Sequence, residues 1–177
     1  MKPTTRLAFS LPMILAAAIG TASAQTKEVT IAHQDMIVPF RVAQAAGAVE
    51  KATGYKISWK MFGGGDDVIK AMASGQGPIG EVGSSPITAA AAQGIDIQLI
   101  WIFDDINNAA QLVASNKSGV TSLAGLKGKK VATPFVSTAH YQLLFALNKA
   151  GVNPKEIQIL NLRPPEIAAA WERGDLD

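Results

Sequence analysis

The chain has 177 residues, 48% of them apolar, with 16 basic and 14 acidic side chains. That length can bury a real core and fits one domain or one and a half, while a formal charge of only +2 argues against a strongly basic partner-binding surface. Cysteine is absent, which excludes a disulfide framework, thiolate catalysis and cysteine-based metal sites.

The first residues read as an export signal. Lys2 and Arg6 form a basic start, Leu7 to Gly20 is mostly apolar, and Ala22-Ser23-Ala24 is a small-residue cleavage site. The apolar run is interrupted by Ser10 and Pro12 and is shorter than the ~20 residues a spanning helix requires. Residues 1–24 are therefore expected to be removed, placing the mature protein, from Gln25, outside the cytoplasm. Without Lys2 and Arg6 the basic count equals the acidic count of 14, so the mature chain is formally neutral.

Glu28 to Ala32 is β-branched and reads as a strand ending at His33-Gln34-Asp35. The carboxyl end of a strand in an open α/β sheet is where ligands collect. Pro39 opens a helix carrying Val42, Ala43, Ala46 and Val49 and closed by Gly54, and Lys56 to Phe62 alternates as a half-buried strand. Gly63-Gly64-Gly65 leads into a helix that ends at Gly75. Its Asp66-Asp67 start suits the helix dipole, and the Lys and Ser/Thr of a phosphate loop are missing, so a structural turn is expected.

Ile79 to Val82 predicts a short strand, Gly83 a sharp turn, Ser85 an N-cap and Pro86 the first helical position. A helix starting at a strand's mouth leaves unpaired amides at its positive end, here flanked by Ser84 and Ser85, a candidate anion pocket. The alternative is that Ser85 only caps its own helix. Ile95 to Phe103 reads as a buried strand, and Gln111 to Ala114 as another, with a change of lobe near Leu112 to Asn116. Ser122 to Lys130 reads as one helical turn and a loop whose lysines are solvated.

Val131 to Phe135 then predicts a strand running into Val136-Ser137-Thr138 and a helix from about Ala139. The strand again feeds a Ser/Thr-capped helix, with His140 and Tyr141 in its first turn, which makes a second candidate anion pocket. Asn153-Pro154 turns the chain, Glu156 to Leu162 alternates as a strand, and a helix runs from Glu166 to Arg173 and stops at Gly174. Asp175-Leu176-Asp177 reads as the approach to one more strand. Alternating strands and helices throughout indicate an α/β fold with largely parallel sheets.

Ala-His-Gln at 32–34, Met-Ala-Ser-Gly at 72–75, Ile-Gly-Glu-Val-Gly-Ser-Ser-Pro at 79–86, Pro-Phe-Val-Ser-Thr-Ala-His-Tyr at 134–141 and the stretch from Asn161 to Asp177 together resemble the substrate-binding proteins of taurine and aliphatic sulfonate ABC transporters. The Ser-Thr-x-His-Tyr and Leu-x-Pro-Pro-x-Ile segments are similar to the taurine branch in particular. The resemblance implies a periplasmic binding protein of type II-like fold, two lobes closing by a hinge, with residues 25–112 in the first lobe and 113–177 in a truncated second lobe. It implies a sulfonate held by Ser84 and Ser85 from one lobe and by Ser137, Thr138, His140 and Tyr141 from the other, with Gln34 in the cleft. It also implies a periplasmic monomer working with a membrane permease and its ATPase subunits, without cofactor, metal or nucleic acid. Ammonium recognition would lie beyond the last residue of this chain.

Other ligands consistent with these residues are another sulfonate or nitrate. A serine hydrolase would use Gly-x-Ser-x-Gly, which Gly83-Ser84-Ser85-Pro86-Ile87 does not satisfy. His33 and His140 lack metal-ligand spacing and read as hydrogen-bonded structural histidines. A pyrimidine-precursor synthase of the same fold would carry a cysteine-rich motif, and this chain has no cysteine.

Overall fold

A computed structural model describes residues 27–102, 104–106 and 109–177. The expected signal at 1–24 lies outside the described residues. Strand β1 (Glu28–Gln34) is the centre of a parallel three-stranded sheet, between β2 (Lys56–Phe62) and β3 (Ile79–Gly80). The register places Gln34 opposite Phe62 and Ala32 opposite Gly80. Parallel neighbours need crossover connections, and helices provide them: α1 (Phe40–Ala45), α2 (Ala48–Thr53) and α3 (Gly65–Ala73) precede β3, and α4 (Ser84–Ala92) follows it.

A second sheet pairs β4 (Lys130–Thr133) with β5 (Gln158–Asn161), also in parallel, joined through α5 (Thr138–Lys149) and followed by α6 (Pro164–Arg173). Its core is Leu126, Val131, Leu143, Leu147, Val152 and Ile157, while Ala32, Val68, Ile69, Ala71 and Ala90 are buried around the first sheet. The first core sets Ala32 of β1 against the buried residues of α3 and α4, and the second sets Val131 of β4 against Leu143 and Leu147 of α5.

Several boundaries differ from the sequence expectation. The helix expected from Pro39 to Gly54 is two short ones, because Gly47 adopts a left-handed conformation (φ 61°) between α1 and α2. The strand expected to Val82 spans only Ile79–Gly80, although Glu81 N–H still donates to Ala32 O at 2.8 Å. Ser85 is not the N-cap of α4. Gly83 holds that position in an extended conformation, Ser84 and Ser85 lie inside the first turn, and Pro86 is the third helical residue.

The apolar stretch from Ile95 forms no strand over its described residues, 95–102. None of the described strands pairs with it, and Leu99, Ile100, Trp101 and Ile102 are exposed. Apolar composition favours a strand only where neighbouring strands take its backbone hydrogen bonds. Gln111 to Ala114 is likewise irregular. Asp177, expected to approach a further strand, bonds backbone-to-backbone with Lys130 O (3.1 Å) and Ser115 N (2.7 Å) beside β4.

Leu147 is fully buried in the second core. Leu147→Ala should cost roughly 2–5 kcal/mol, read as a lower urea midpoint with an unchanged denaturant slope; a shift below about 0.5 kcal/mol, the range of surface substitutions, would place this side chain outside the cooperative core.

Candidate functional site

In this fold α3, α4, α5 and α6 each begin just after the carboxyl end of a strand: β2, β3, β4 and β5 respectively. The starts meet in pairs across the two sheets. Thr138, first residue of α5, lies directly on Gly83, the cap of α4, and a Cβ at Gly83 would fall 2.5 Å from Thr138 Oγ1. Gly83 has φ −71°, which any residue can adopt, so the absence of a side chain serves this close approach. Arg163, cap of α6, reaches Asp66 and Asp67 in the first turn of α3.

The α4–α5 junction contains most of the expected binding residues. The first-turn amides of a helix have no carbonyl one turn back to bond. In α4 those of Ser84 and Ser85 precede Pro86, which has no N–H. At α5, Ser137 Oγ accepts the His140 N–H at 3.1 Å, leaving the Thr138 and Ala139 amides at the start. Thr138 Oγ1 is buried and has no hydrogen-bond partner, and an orphaned buried hydroxyl is costly. Neither helix carries an acidic residue in its first turn. The positive dipole ends are therefore not neutralised by their own sequence.

His140 stacks on Phe135 with centroids 4.6 Å apart, and its Nδ1 accepts the Val136 N–H at 3.3 Å. Burial lowers its pKa below the usual imidazole value. A neutral ring accepting at Nδ1 carries its proton on Nε2, which makes it a neutral donor. Val136 adopts φ 63°, a left-handed conformation strained for a β-branched residue, in the turn that brings its amide to His140. Tyr141 is largely exposed and stacks on Phe145, one turn further along α5 and away from the helix start.

Gln34 sits at the end of β1 with Oε1 against Gly65, the first residue of α3, and Pro86 of α4 packs on the same glycine. It thus lies where α3 and α4 start. Arg41, which no local sequence motif marks, donates to Gln34 O at 3.0 Å and is ion-paired with Glu81, whose side chain is only 9% exposed. The pair is self-neutralising. It fixes the strand end that carries Gln34. The signal in the sequence was Glu81 inside an apolar strand stretch, a position that demands a partner. His33 is buried, edge-on to Trp59 and next to Gln44, and no group of three or more metal-binding side chains occurs among the described residues.

An open apolar hollow of about 480 Å³ lies elsewhere, against α6 and Val113, lined by Ile167, Ala168 and Trp171 among others. It offers few polar groups to a small anion.

A family model described as NMT1/THI5 like matches residues 34–177. The chain belongs to the NMT1/THI5-like family. This member of the NMT1/THI5-like family is 39% identical to the taurine-binding periplasmic protein of Escherichia coli over 165 residues, 93% of the chain and 51% of that relative. Among solved structures, the alkanesulfonate-binding protein SsuA of Xanthomonas axonopodis pv. citri bound to MOPS superposes with a TM-score of 0.78 at 28% identity, covering 88% of this chain and 54% of that one. The periplasmic aliphatic sulphonate binding protein SsuA of Escherichia coli gives 0.59 at 28% identity, over 85% and 52%. The chain thus spans about half the length of these NMT1/THI5-like relatives. Its α/β fold with two parallel sheets matches that of these periplasmic binding proteins over about half of their length.

Asp66 gives a pH-dependent check on the α3–α6 contact. Its hydrogen bond from Arg163, together with Lys70, holds its pKa down to about 2 from 3.8. The folded state therefore binds that proton less readily than the unfolded chain, and the stabilisation is present above about pH 4 and lost as pH falls towards 2. The unfolding midpoint should drop over that window in the native protein and drop less in Asp66→Asn; equal slopes would show that this carboxylate is not paired in solution.

Proposed function

We propose that this protein is the solute-binding component of an ABC transporter that captures taurine or a related organosulfonate in the periplasm and delivers it to a membrane permease. The supporting observation is the α4–α5 junction. Two helix starts without acidic residues meet from different sheets, and a buried Thr138 hydroxyl without a partner stands between them. A sulfonate would accept hydrogen bonds from the Ser84 and Ser85 side on one lobe and from Ser137, Thr138, His140 and Tyr141 on the other, with Gln34 near the α3 end. Neutral donors and dipole ends suffice to hold such an anion.

Capture by closure is part of this reading. An anion touching both helix starts interacts more strongly when they are close, and that difference drives the two lobes together. The reading assigns residues 1–24 to a cleaved signal, 25–112 to the first lobe and 113–177 to the second. It makes the protein a non-enzymatic monomer with no cofactor. The relatives named above are binding proteins, and the absence of cysteine from this chain disfavours the synthase alternative.

Calorimetric titration with taurine, ethanesulfonate, sulfate and nitrate tests the ligand class. Saturable heat is expected with the sulfonates, and heat with nitrate alone would overturn the assignment. Ser85→Ala and Thr138→Ala should each weaken sulfonate affinity roughly 10- to 100-fold, the loss of one hydrogen bond to a charged group. A change in thermal stability with unchanged affinity would reduce both residues to structural roles.

A further inference from the structure

The second cross-sheet contact has no place in the anion site. Arg163 Nη1 donates to Asp66 Oδ1 at 2.7 Å and Nη2 to Asp66 Oδ2 at 3.2 Å, while Nη2 also lies 2.8 Å from Asp67 Oδ2. The three side chains are 23–31% exposed, so the pairing is partly withdrawn from solvent. One planar guanidinium spans two carboxylates 96 and 97 positions earlier in the chain, a geometry that a lysine's single ammonium cannot reproduce.

The Gly-Gly turn before α3 is shaped for this arginine. Gly64 is in extended backbone (φ −171°) open to any residue, yet a Cβ there would fall 2.2 Å from Arg163 Nη1. The Gly63 position likewise faces the Arg163 stem at 3.6 Å. The turn thus has glycine where the guanidinium lies against the backbone, and the two aspartates follow at once. Arg163 itself caps α6 through its backbone, with its N–H donating to Glu166 Oε2 at 2.7 Å. That bond leaves the side chain available to cross to the other sheet.

We propose that Arg163 is a positioning residue for anion capture: it latches the start of α6 to the start of α3 and thereby holds the α4 and α5 starts at closed spacing, without touching the ligand. The inference rests on the anion site proposed above for its consequence in binding, but the latch itself is readable without ligand. Because a competent closed state that is less populated lowers apparent affinity in proportion, loss of the latch weakens binding even though no ligand contact is removed. Removing the arginine does not strand the aspartates, since Lys70 lies within 3.3 Å of both. The start of α3 therefore survives the substitution.

The chain has no cysteine, so a label pair can be placed uniquely, at Ala52→Cys on α2 and Asn148→Cys on α5. Electron–electron double resonance on the ligand-free labelled protein should give a narrow distance distribution. Arg163→Ala should lengthen and broaden it, as should the double substitution Asp66→Asn with Asp67→Asn, and combining all three should add nothing further. Arg163→Lys should restore part of the native distribution. Taurine affinity by calorimetry should fall about tenfold in Arg163→Ala, the effect of a tenfold drop in the competent population. If both the arginine and the double aspartate variants keep the native distribution and a native far-ultraviolet circular dichroism spectrum, the latch is wrong. An unchanged taurine affinity in a demonstrably opened Arg163→Ala would overturn its role in capture, and absence of taurine binding in the unsubstituted protein would count against the anion site and leave the distance result to decide the latch.

Discussion

Helix starts repel. Four helices of this chain open at neighbouring points, and the partial positive charge at each start makes their convergence unfavourable unless something negative is placed among them. The chain answers this in two ways. At α3 and α6 the sequence supplies its own acids, Asp66, Asp67 and Glu166, and an arginine can then enter. At α4 and α5 it supplies only hydroxyls and amides, and in the proposed function the negative partner comes from outside. The difference between a structural junction and a receptive one lies in which first turns carry carboxylates.

This arrangement is possible because both sheets are parallel. Parallel order sends every strand in the same direction, so the following helices all begin at one edge. The three-stranded and two-stranded sheets present those edges towards each other, with Gly83 on Thr138 and Gly64 against Arg163 as the points of closest approach. In both contacts glycine has an ordinary backbone conformation, and the space it leaves is what matters. Arg41 and Glu81 hold the neighbouring strand end that carries Gln34. They neutralise each other, which keeps the junction free of a fixed charge that would compete for an anion.

Much of this was legible in the amino-acid order. The strand–turn–helix pattern around Ile79 to Ala92 and around Val131 to Lys149 marked the two helix starts that the proposed anion site uses, and Asp66-Asp67 marked a dipole already satisfied. What could not be read was pairing at a distance. Nothing local distinguishes Arg163 from any arginine before Pro-Pro, and its partners precede it by nearly a hundred residues. The apolar stretch 95–102 failed for a related reason, since composition measures what a segment would prefer to pair with and not whether a neighbour is there. The cap of α4 moved from Ser85 to Gly83 because contact with Thr138 set the position, against the local preference for serine.

The central claim is that an anion is held by the backbone starts of α4 and α5 together. Amide chemical shifts recorded by nuclear magnetic resonance during titration with taurine test it directly. The account predicts that the largest perturbations fall on Ser84, Ser85, Thr138 and Ala139, moving in concert with one saturation curve. Perturbations confined to one helix start, or centred on the apolar face of α6 around Trp171, would contradict it.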